Sequence, residues 1–136
     1  MKMLLLLFAL GAATAADLPR SPAPPEVELY IISPNDGDTV ASPVTVRFGL
    51  RGMGVAPAGI EIANTGHHHL LIDTGPPPFD QPIPADANHV HFGKGQTEAV
   101  VTLTPGRHTL RLLLGDHLHI PHDPPVMSKP ITIIVK

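Results

Sequence analysis

Histidine is the residue type in this sequence with the clearest capacity for chemistry. The chain of 136 residues contains nine histidines, as many as its lysines and arginines together. All except His108 lie in three short clusters, at residues 67–69, 89–91 and 117–122. A neutral imidazole is a good ligand for Zn²⁺, Cu²⁺ and Ni²⁺. The clusters therefore suggest coordination of a transition-metal ion.

The first cluster has a spacing that suits a β-strand. Successive side chains of a strand point to opposite faces, so His67 and His69 are expected on one face, about 6.5–7 Å apart along the chain. His68 is expected on the other face with Leu70 and Ile72. Two imidazoles at positions i and i+2 can converge on one metal ion.

The second and third clusters supply further imidazoles. His89 and His91 repeat the alternate spacing, whereas His117, His119 and His122 lie in a proline-containing loop after a predicted strand. Carboxylates beside the clusters could orient the rings by accepting the second ring N–H group. The nearest such carboxylates are those of Asp73, Asp116 and Asp123.

A structural role is the alternative interpretation for each histidine. His108 has the same strand parity as Leu110 and Leu112, which predicts a place at the edge of the core. The parity of His68 predicts a structural role in the same way. For the clusters as a whole, the alternative to metal binding is a buried network of hydrogen-bonded histidines.

The composition argues against several other functions. The formal charge is −3 and there is no run of basic residues, so binding to nucleic acid or to an anionic membrane surface is not expected. The chain has no cysteine. It also has no serine in a G-x-S-x-G motif, so a catalytic nucleophile is not expected. We therefore expect a binding protein and not an enzyme.

The N-terminus has the pattern of a cleaved signal peptide. Lys2 precedes an apolar run at residues 4–10, and residues 13–15 provide a small-residue cleavage site. The apolar run is well short of the ~20 residues that a membrane-spanning helix needs, so stable membrane insertion is not expected. We predict a signal peptide at residues 1–16 and a mature protein that is periplasmic or secreted.

Proline and glycine limit the size of the secondary-structure elements. The chain has 17 prolines and 12 glycines. The longest stretch of the mature chain without either is residues 96–104, which is shorter than an average helix of about 11–12 residues. The stretches between them alternate apolar and polar residues, which predicts strands. We therefore predict an all-β fold, an antiparallel β-sandwich of about seven strands. Residues 28–50 (ELYIISPNDGDTVASPVTVRFGL) resemble the first hairpin of bacterial immunoglobulin-like domains, and this resemblance implies an immunoglobulin-like sandwich.

The same pattern predicts how the chain is divided. Residues 17–25 contain four prolines and are predicted as an extended linker. Residues 26–136 are predicted as one β-sandwich domain. Within that domain, residues 67–73 and 107–114 are expected to form paired or neighbouring strands.

Three segments resemble the motifs of a family of small exported bacterial domains of unknown function. They are residues 66–73 (GHHHLLID), 91–98 (HFGKGQTE) and 112–128 (LLLGDHLHIPHDPPVMS). The resemblance extends from about residue 44 to the C-terminus, and it implies an exported β-domain without implying an activity. The histidines that match the family pattern are His67, His68, His69, His91, His119 and His122. His89 and His117 lie outside the pattern and carry less weight as ligands.

The combined prediction is a periplasmic, histidine-rich β-sandwich that binds a copper or zinc ion, for metal buffering or delivery. The predicted metal ligands are His67, His69, His91, His119 and His122. Copper is preferred because an all-nitrogen site suits both ions and affinity usually runs higher for Cu²⁺. His68, His89 and His117 are compatible with either a ligand role or a structural role.

Two functions of other classes also fit the sequence. The proline-rich segment at residues 75–84 is suited to docking a protein partner of the cell envelope, which would make the chain an interaction module without a metal. Alternatively, the two H-x-H strands are similar in type to those of copper–zinc superoxide dismutases, which would imply a copper redox enzyme. The intrachain disulfide of that family is impossible here because the chain has no cysteine, and its zinc-loop spacing is not matched.

Overall fold

The computed structural model describes residues 18–136, so the predicted signal peptide at residues 1–16 lies outside the described residues. Nine strands and no helix are assigned within residues 18–136. Accordingly, this part of the chain contains no helix that is long and apolar enough to cross a membrane. The strands are β1 (Glu28–Ser33), β2 (Thr39–Val40), β3 (Val44–Arg51), β4 (Gly54–Val55), β5 (Thr65–Ile72), β6 (His89–His91), β7 (Glu98–Val101), β8 (Gly106–Gly115) and β9 (Ile131–Val135).

The strands form two sheets that pack face to face. The smaller sheet has the order β1-β3-β7, and the larger has the order β2-β9-β8-β5-β4, with β6 also paired to β5. This arrangement confirms the predicted all-β sandwich. The strand count is higher than the predicted seven because β2 and β4 have only two residues each, too few for an alternating pattern to be recognised. Both of these short strands pair in parallel, β2 with β9 and β4 with β5.

Alternating apolar residues build the core between the sheets. Val46 and Phe48 of β3 are buried there, as are Leu110, Leu112 and Leu114 of β8. Complete burial of such a side chain stabilises the fold by about 1.5–3 kcal/mol relative to exposure. These buried side chains fix the position of β8 in the core. The backbone pairing of β8 with β5 then fixes β5.

Strands β5 and β8 form the centre of the larger sheet. They pair antiparallel, with His67 opposite Gly115 and Ile72 opposite Leu110, which confirms the predicted neighbourhood of residues 67–73 and 107–114. Strand β6 pairs with the other edge of β5, where His91 lies opposite His69. The pairing register therefore places three histidines from two of the predicted clusters side by side.

The outer face of the larger sheet is covered as well. Leu71 and Leu113 are buried on that face, where they pack with Ile83 and Met127. Ile83 belongs to the proline-rich segment at residues 75–84, so part of this segment covers the protein's own sheet. Because both of its faces are covered, β5 is buried almost without interruption from its second residue to its last.

Residues 18–25, which belong to the predicted linker, lie against the domain. The Ser21 carbonyl accepts a hydrogen bond from the Asp123 backbone N–H (2.9 Å), and the Ala23 N–H donates to the Asp123 carbonyl (3.0 Å). Pro22 forms a bridge with the same residue, and Ala23 packs against the core. The segment is therefore extended but attached along residues 121–123, a contact that its proline content alone does not reveal.

Candidate metal centre

Four histidine side chains meet on the outer face of the larger sheet. Strand β5 supplies two of them, β6 supplies one, and the turn after β8 supplies the fourth. We call this set the histidine cluster; it consists of His67, His69, His91 and His119. Its members come from all three of the histidine-containing sequence segments, residues 67–69, 89–91 and 117–122.

The predicted alternation of side chains along β5 is confirmed at its three histidines. His68 points into the core, where its ring centroid is 5.0 Å from that of Phe48. His67 and His69 point to the opposite face, with ring centroids 4.7 Å apart. One strand thus directs one histidine into the core and two into the cluster.

The rings of the cluster lie close enough to share one ion. The centroid of His67 is 5.0 Å from those of His91 and His119. The His91 and His119 rings are 4.7 Å apart, and their Nε2 atoms are separated by 3.1 Å. One ring nitrogen from each of His67, His91 and His119 lies within 4.8 Å of the other two. The ring of His69 is next to this group, with its centroid 5.2 Å from that of His91 and 6.1 Å from that of His119.

The separation of the two Nε2 atoms matches the geometry of a metal site. Zinc–imidazole bonds are about 2.0–2.1 Å long. Two nitrogens on one ion are therefore about 2.8–3.4 Å apart for ligand angles between a right angle and the tetrahedral value. The 3.1 Å between His91 and His119 falls in this range, and it is also the length of an ordinary hydrogen bond between the two rings.

Two glycines make room for the rings. A Cβ at Gly93 would overlap the imidazole of His91, and a Cβ at Gly115 would lie 2.7 Å from Cε1 of His69 and 3.3 Å from Cα of His119. At both positions the Cβ would lie less than 3.0 Å from a ring atom, a distance that real Cβ atoms essentially never show. These glycines were not identified by sequence reasoning, because no local pattern shows which ring will lie over which backbone.

His119 is held in an unusual backbone conformation. Its φ of 67° lies in the left-handed region, which is uncommon for a residue other than glycine. The buried carboxylate of Asp116 stabilises the turn by accepting the backbone N–H groups of Leu118 (2.9 Å) and Ile120 (3.0 Å). The His119 carbonyl accepts the N–H of Ile83 at 2.8 Å. The turn that presents His119 is thus fixed from two sides.

Burial keeps the deep rings of the cluster neutral. His67 is 0% and His69 1% exposed, and neither has a hydrogen-bonding partner for either ring nitrogen among the described residues. Burial lowers the pKa of His67 to about 4 and that of His69 to about 2, and the neighbouring imidazoles act in the same direction. The pKa of His91 is lowered by burial and by His119. Neutral imidazoles keep the lone pair that a metal ion requires.

Access from solvent is possible on one side of the cluster. His91 is exposed and His119 half-buried, whereas His67 and His69 lie beneath them. An ion could therefore enter past His91 and His119 and reach the buried nitrogens of β5.

The fifth predicted ligand, His122, lies apart from the cluster. It is buried, its Nε2 is 3.1 Å from the Thr65 carbonyl oxygen, and burial lowers its pKa. It lines a cavity of about 250 Å³ that also borders Asp116 and His117. The structure therefore does not bring His122 together with His67, His91 and His119.

Three other histidines have carboxylate neighbours outside the cluster. His89 lies 2.7 Å from Asp86, and His117 lies 3.7 Å from Glu61. The ring of His108 contacts Asp73 at 2.6 Å and the Thr104 carbonyl at 2.7 Å, which confirms its predicted structural role.

The suggested orienting role of the nearby carboxylates is wrong for the cluster. Asp73 contacts His108, Asp116 binds the turn, and Asp123 lies 3.5 Å from the Arg20 guanidinium. None of these three carboxylates hydrogen-bonds a ring of the cluster within the part of the chain that the structure describes. The rings are instead oriented by packing and by the backbone.

The fold and the site together define a β-sandwich with four imidazoles gathered on the outer face of one sheet. The chain belongs to the family described as Domain of unknown function (DUF4399), which matches residues 46–136. This match confirms the resemblance to a family of small domains without an established activity. No curated protein and no solved structure gives a significant match to the chain.

Proposed function

We propose that the protein binds one transition-metal ion through His67, His91 and His119, with His69 as the fourth imidazole. The observation that carries the proposal is the convergence of three imidazole nitrogens within 4.8 Å of one another. Both nitrogens of the buried His67 have no other partner among the described residues. Buried polar atoms are nearly always paired in folded proteins, and a bound ion would pair one nitrogen of the His67 ring. The ring nitrogens of His68 in the core are unpaired within residues 18–136 too, so the convergence of the imidazoles, and not their lack of partners, supports the ion.

The ligand chemistry supports copper or zinc. Imidazole suits Cu²⁺ and Zn²⁺, whereas Mg²⁺ and Ca²⁺ prefer oxygen ligands, and the cluster is made of imidazoles alone. For a given set of nitrogen ligands, affinity for Cu²⁺ generally exceeds that for Zn²⁺. We therefore propose Cu²⁺ as the preferred ion and Zn²⁺ as the alternative. His122 is left out of the proposed ligand set because its Nε2 faces the Thr65 carbonyl.

The position of the cluster supports exchange of the ion. Two ligands are fixed on a buried central strand, while His91 and His119 are accessible at the surface. An ion held in this way can be passed to another molecule without unfolding of the domain. Together with the predicted signal peptide, this supports buffering or delivery of the metal in the periplasm, without catalytic turnover.

A direct test compares two double variants of the full-length protein, purified without a histidine tag. We expect one equivalent of Cu²⁺ per chain by elemental analysis after dialysis at pH 7. The His91→Ala/His119→Ala variant should bind Cu²⁺ more than about 100-fold more weakly in competition with a chelator, since loss of an indirect contact alone costs about 10–100-fold. The matched control is His89→Ala/His117→Ala, which removes two half-buried histidines with carboxylate neighbours outside the cluster and should bind as the wild type does.

Other outcomes would support the other functions. No retention of Cu²⁺ or Zn²⁺ by the wild type would contradict the proposal and favour an interaction module. Turnover of superoxide by the copper-loaded protein would favour a redox enzyme. Equal loss of binding in the two double variants would contradict the assignment of the site to the cluster, because the control histidines would then contribute as much as His91 and His119.

A further inference from the structure

Residues 20–23 lie along the loop that carries His119. The Arg20 guanidinium donates hydrogen bonds to the carbonyl oxygens of Pro121 (3.2 Å) and His122, and it lies 3.5 Å from the Asp123 carboxylate. The backbone bonds of Ser21 and Ala23 with Asp123 join the same two segments. We call residues 20–23 the N-terminal strap.

The strap also reaches the carboxylate that stabilises the turn. The Ser21 hydroxyl donates to Oδ2 of Asp116 at 2.8 Å, while Oδ1 of Asp116 accepts the backbone N–H groups of Leu118 and Ile120. These two residues flank His119 on both sides. The hydroxyl of Ser21 therefore holds the carboxylate in the orientation that the turn requires.

Arg20 connects the turn to a second loop. Its guanidinium lies 5.8 Å from the ring centroid of Phe79, in the proline-rich segment, at a distance where a cation and an aromatic face attract each other. The same segment donates the Ile83 N–H to the His119 carbonyl. Arg20 thus contacts both loops that fix the backbone of His119, and its side chain is only 23% exposed.

We propose that Arg20 and Ser21 are positioning residues for the metal site, which act by holding His119 in place; this inference rests on the proposed function. His67 and His69 are fixed by the pairing of β5 with β8 and do not depend on the strap. His119, in contrast, lies in a turn with a left-handed backbone, so its ring position depends on the contacts around it. Loss of the strap contacts should therefore weaken metal binding only by displacing His119.

A double-mutant cycle tests this route. In the full-length protein, Arg20→Ala and Ser21→Ala should each weaken Cu²⁺ binding by about tenfold, as expected for contacts that orient a ligand. In a His119→Ala background the same substitutions should change affinity by less than about twofold, because the affected ligand is already absent. Ser21→Thr keeps the hydroxyl and should therefore bind Cu²⁺ with the same affinity as the wild type.

Controls separate positioning from general loss of stability. Arg47→Ala removes an exposed arginine that lies 3.9 Å from Glu98, and it should leave affinity unchanged. Melting of each metal-free variant shows whether it is folded at the temperature of the titration. A strap effect that persists in the His119→Ala background, or no effect in the wild-type background, would overturn the inference while the proposed function stands. Absence of Cu²⁺ binding by the wild type would overturn both.

Discussion

His67 and His108 both lie on strands of the larger sheet, yet their ring nitrogens are in opposite environments. His67 is completely buried and has no partner among the described residues, whereas His108 contacts Asp73 and the Thr104 carbonyl. A partnered imidazole is satisfied by the protein itself. An unpartnered, neutral imidazole has one ring-nitrogen lone pair free for an ion.

Replacement of the glycines beneath the rings should weaken metal binding. A Cβ at Gly93 would lie 2.3 Å from the His91 ring and a Cβ at Gly115 would lie 2.7 Å from the His69 ring, so in Gly93→Ala and Gly115→Ala the contacted ring must shift from its place in the cluster. We expect an affinity loss of about tenfold or more for each variant in chelator competition with Cu²⁺. Gly75→Ala is the control, because a Cβ there meets no atom within 4 Å, and wild-type affinity in all three variants would contradict the site geometry.

His108 should stabilise the fold more strongly at low pH than at high pH. The Asp73 carboxylate raises the pKa of His108, and the Thr104 carbonyl acts in the same direction. Because the folded-state pKa is the higher one, the stabilisation is fully present below the unfolded value of about 6.5 and is lost as the pH rises through the folded value. Urea unfolding of metal-free His108→Gln and wild type at pH 6 and pH 9 should show the larger difference at pH 6. The same difference at both pH values would exclude a contribution from the charge.

At the scale of elements, the proline-rich segment at residues 75–84 behaves as a cover for the larger sheet. Ile83 is 6% exposed and packs on Leu71 and Leu113, and its N–H binds the His119 carbonyl. The sequence prediction of a docking segment did not include this contact. A single isoleucine among prolines has no periodicity from which its burial could be inferred.

Truncation of Ile83 should destabilise the domain. Loss of a buried isoleucine side chain typically costs about 2–5 kcal/mol, so we expect Ile83→Ala to unfold at clearly lower urea concentration than the wild type. Ile62→Ala is the control, because Ile62 is 57% exposed and its truncation should change stability by less than about 0.5 kcal/mol. Similar midpoints for the two variants would argue that the segment is loosely attached and available to a partner.

At the scale of the whole molecule, the metal-free protein should be sensitive to acid because it buries four histidines with lowered pKa values: His67, His68, His69 and His122. Burial lowers the pKa of His67 and of His68 to about 4 and that of His69 to about 2. The unfolded chain, with values near 6.5, therefore takes up more protons, so stability is lost as the pH falls from about 6.5 towards 4. Each histidine contributes up to about 1.4 kcal/mol per pH unit within that window.

Urea titrations of the metal-free protein at pH 7 and pH 5 measure this loss directly. We expect a lower midpoint at pH 5, since the lowered pKa values of the four buried histidines and of His91 outweigh the single raised value of His108. Saturating Cu²⁺ should raise the urea midpoint at pH 7. The free energy of unfolding should increase by about 2.7 kcal/mol when the free Cu²⁺ concentration is 100 times the dissociation constant. Equal stability of the metal-free protein at both pH values would contradict the burial of neutral histidines.

The fold and the four histidines of the cluster could be predicted from the sequence, together with His122, which lies apart from them. Alternation along β5 separated His68 from His67 and His69 correctly, and residues 67–73 and 107–114 were expected to be paired or neighbouring strands, as they are. The choice between His119 and His122 could not be made in this way, because strand periodicity has no meaning in a loop. That choice depends on a left-handed residue and on the distant partners Ser21 and Ile83.

The alternation of β5 between core and cluster also has an evolutionary consequence. A shift of one residue in the pairing register of β5 (Thr65–Ile72) would turn His67 and His69 towards Phe48 and direct His68 outward, because side chains alternate at every position. Such a change would remove the cluster and disturb the core at once. We therefore expect the length of β5 to stay constant among relatives of this chain. A constant length of β5 keeps each of its histidines on the same face of the sheet while other parts of the sequence change.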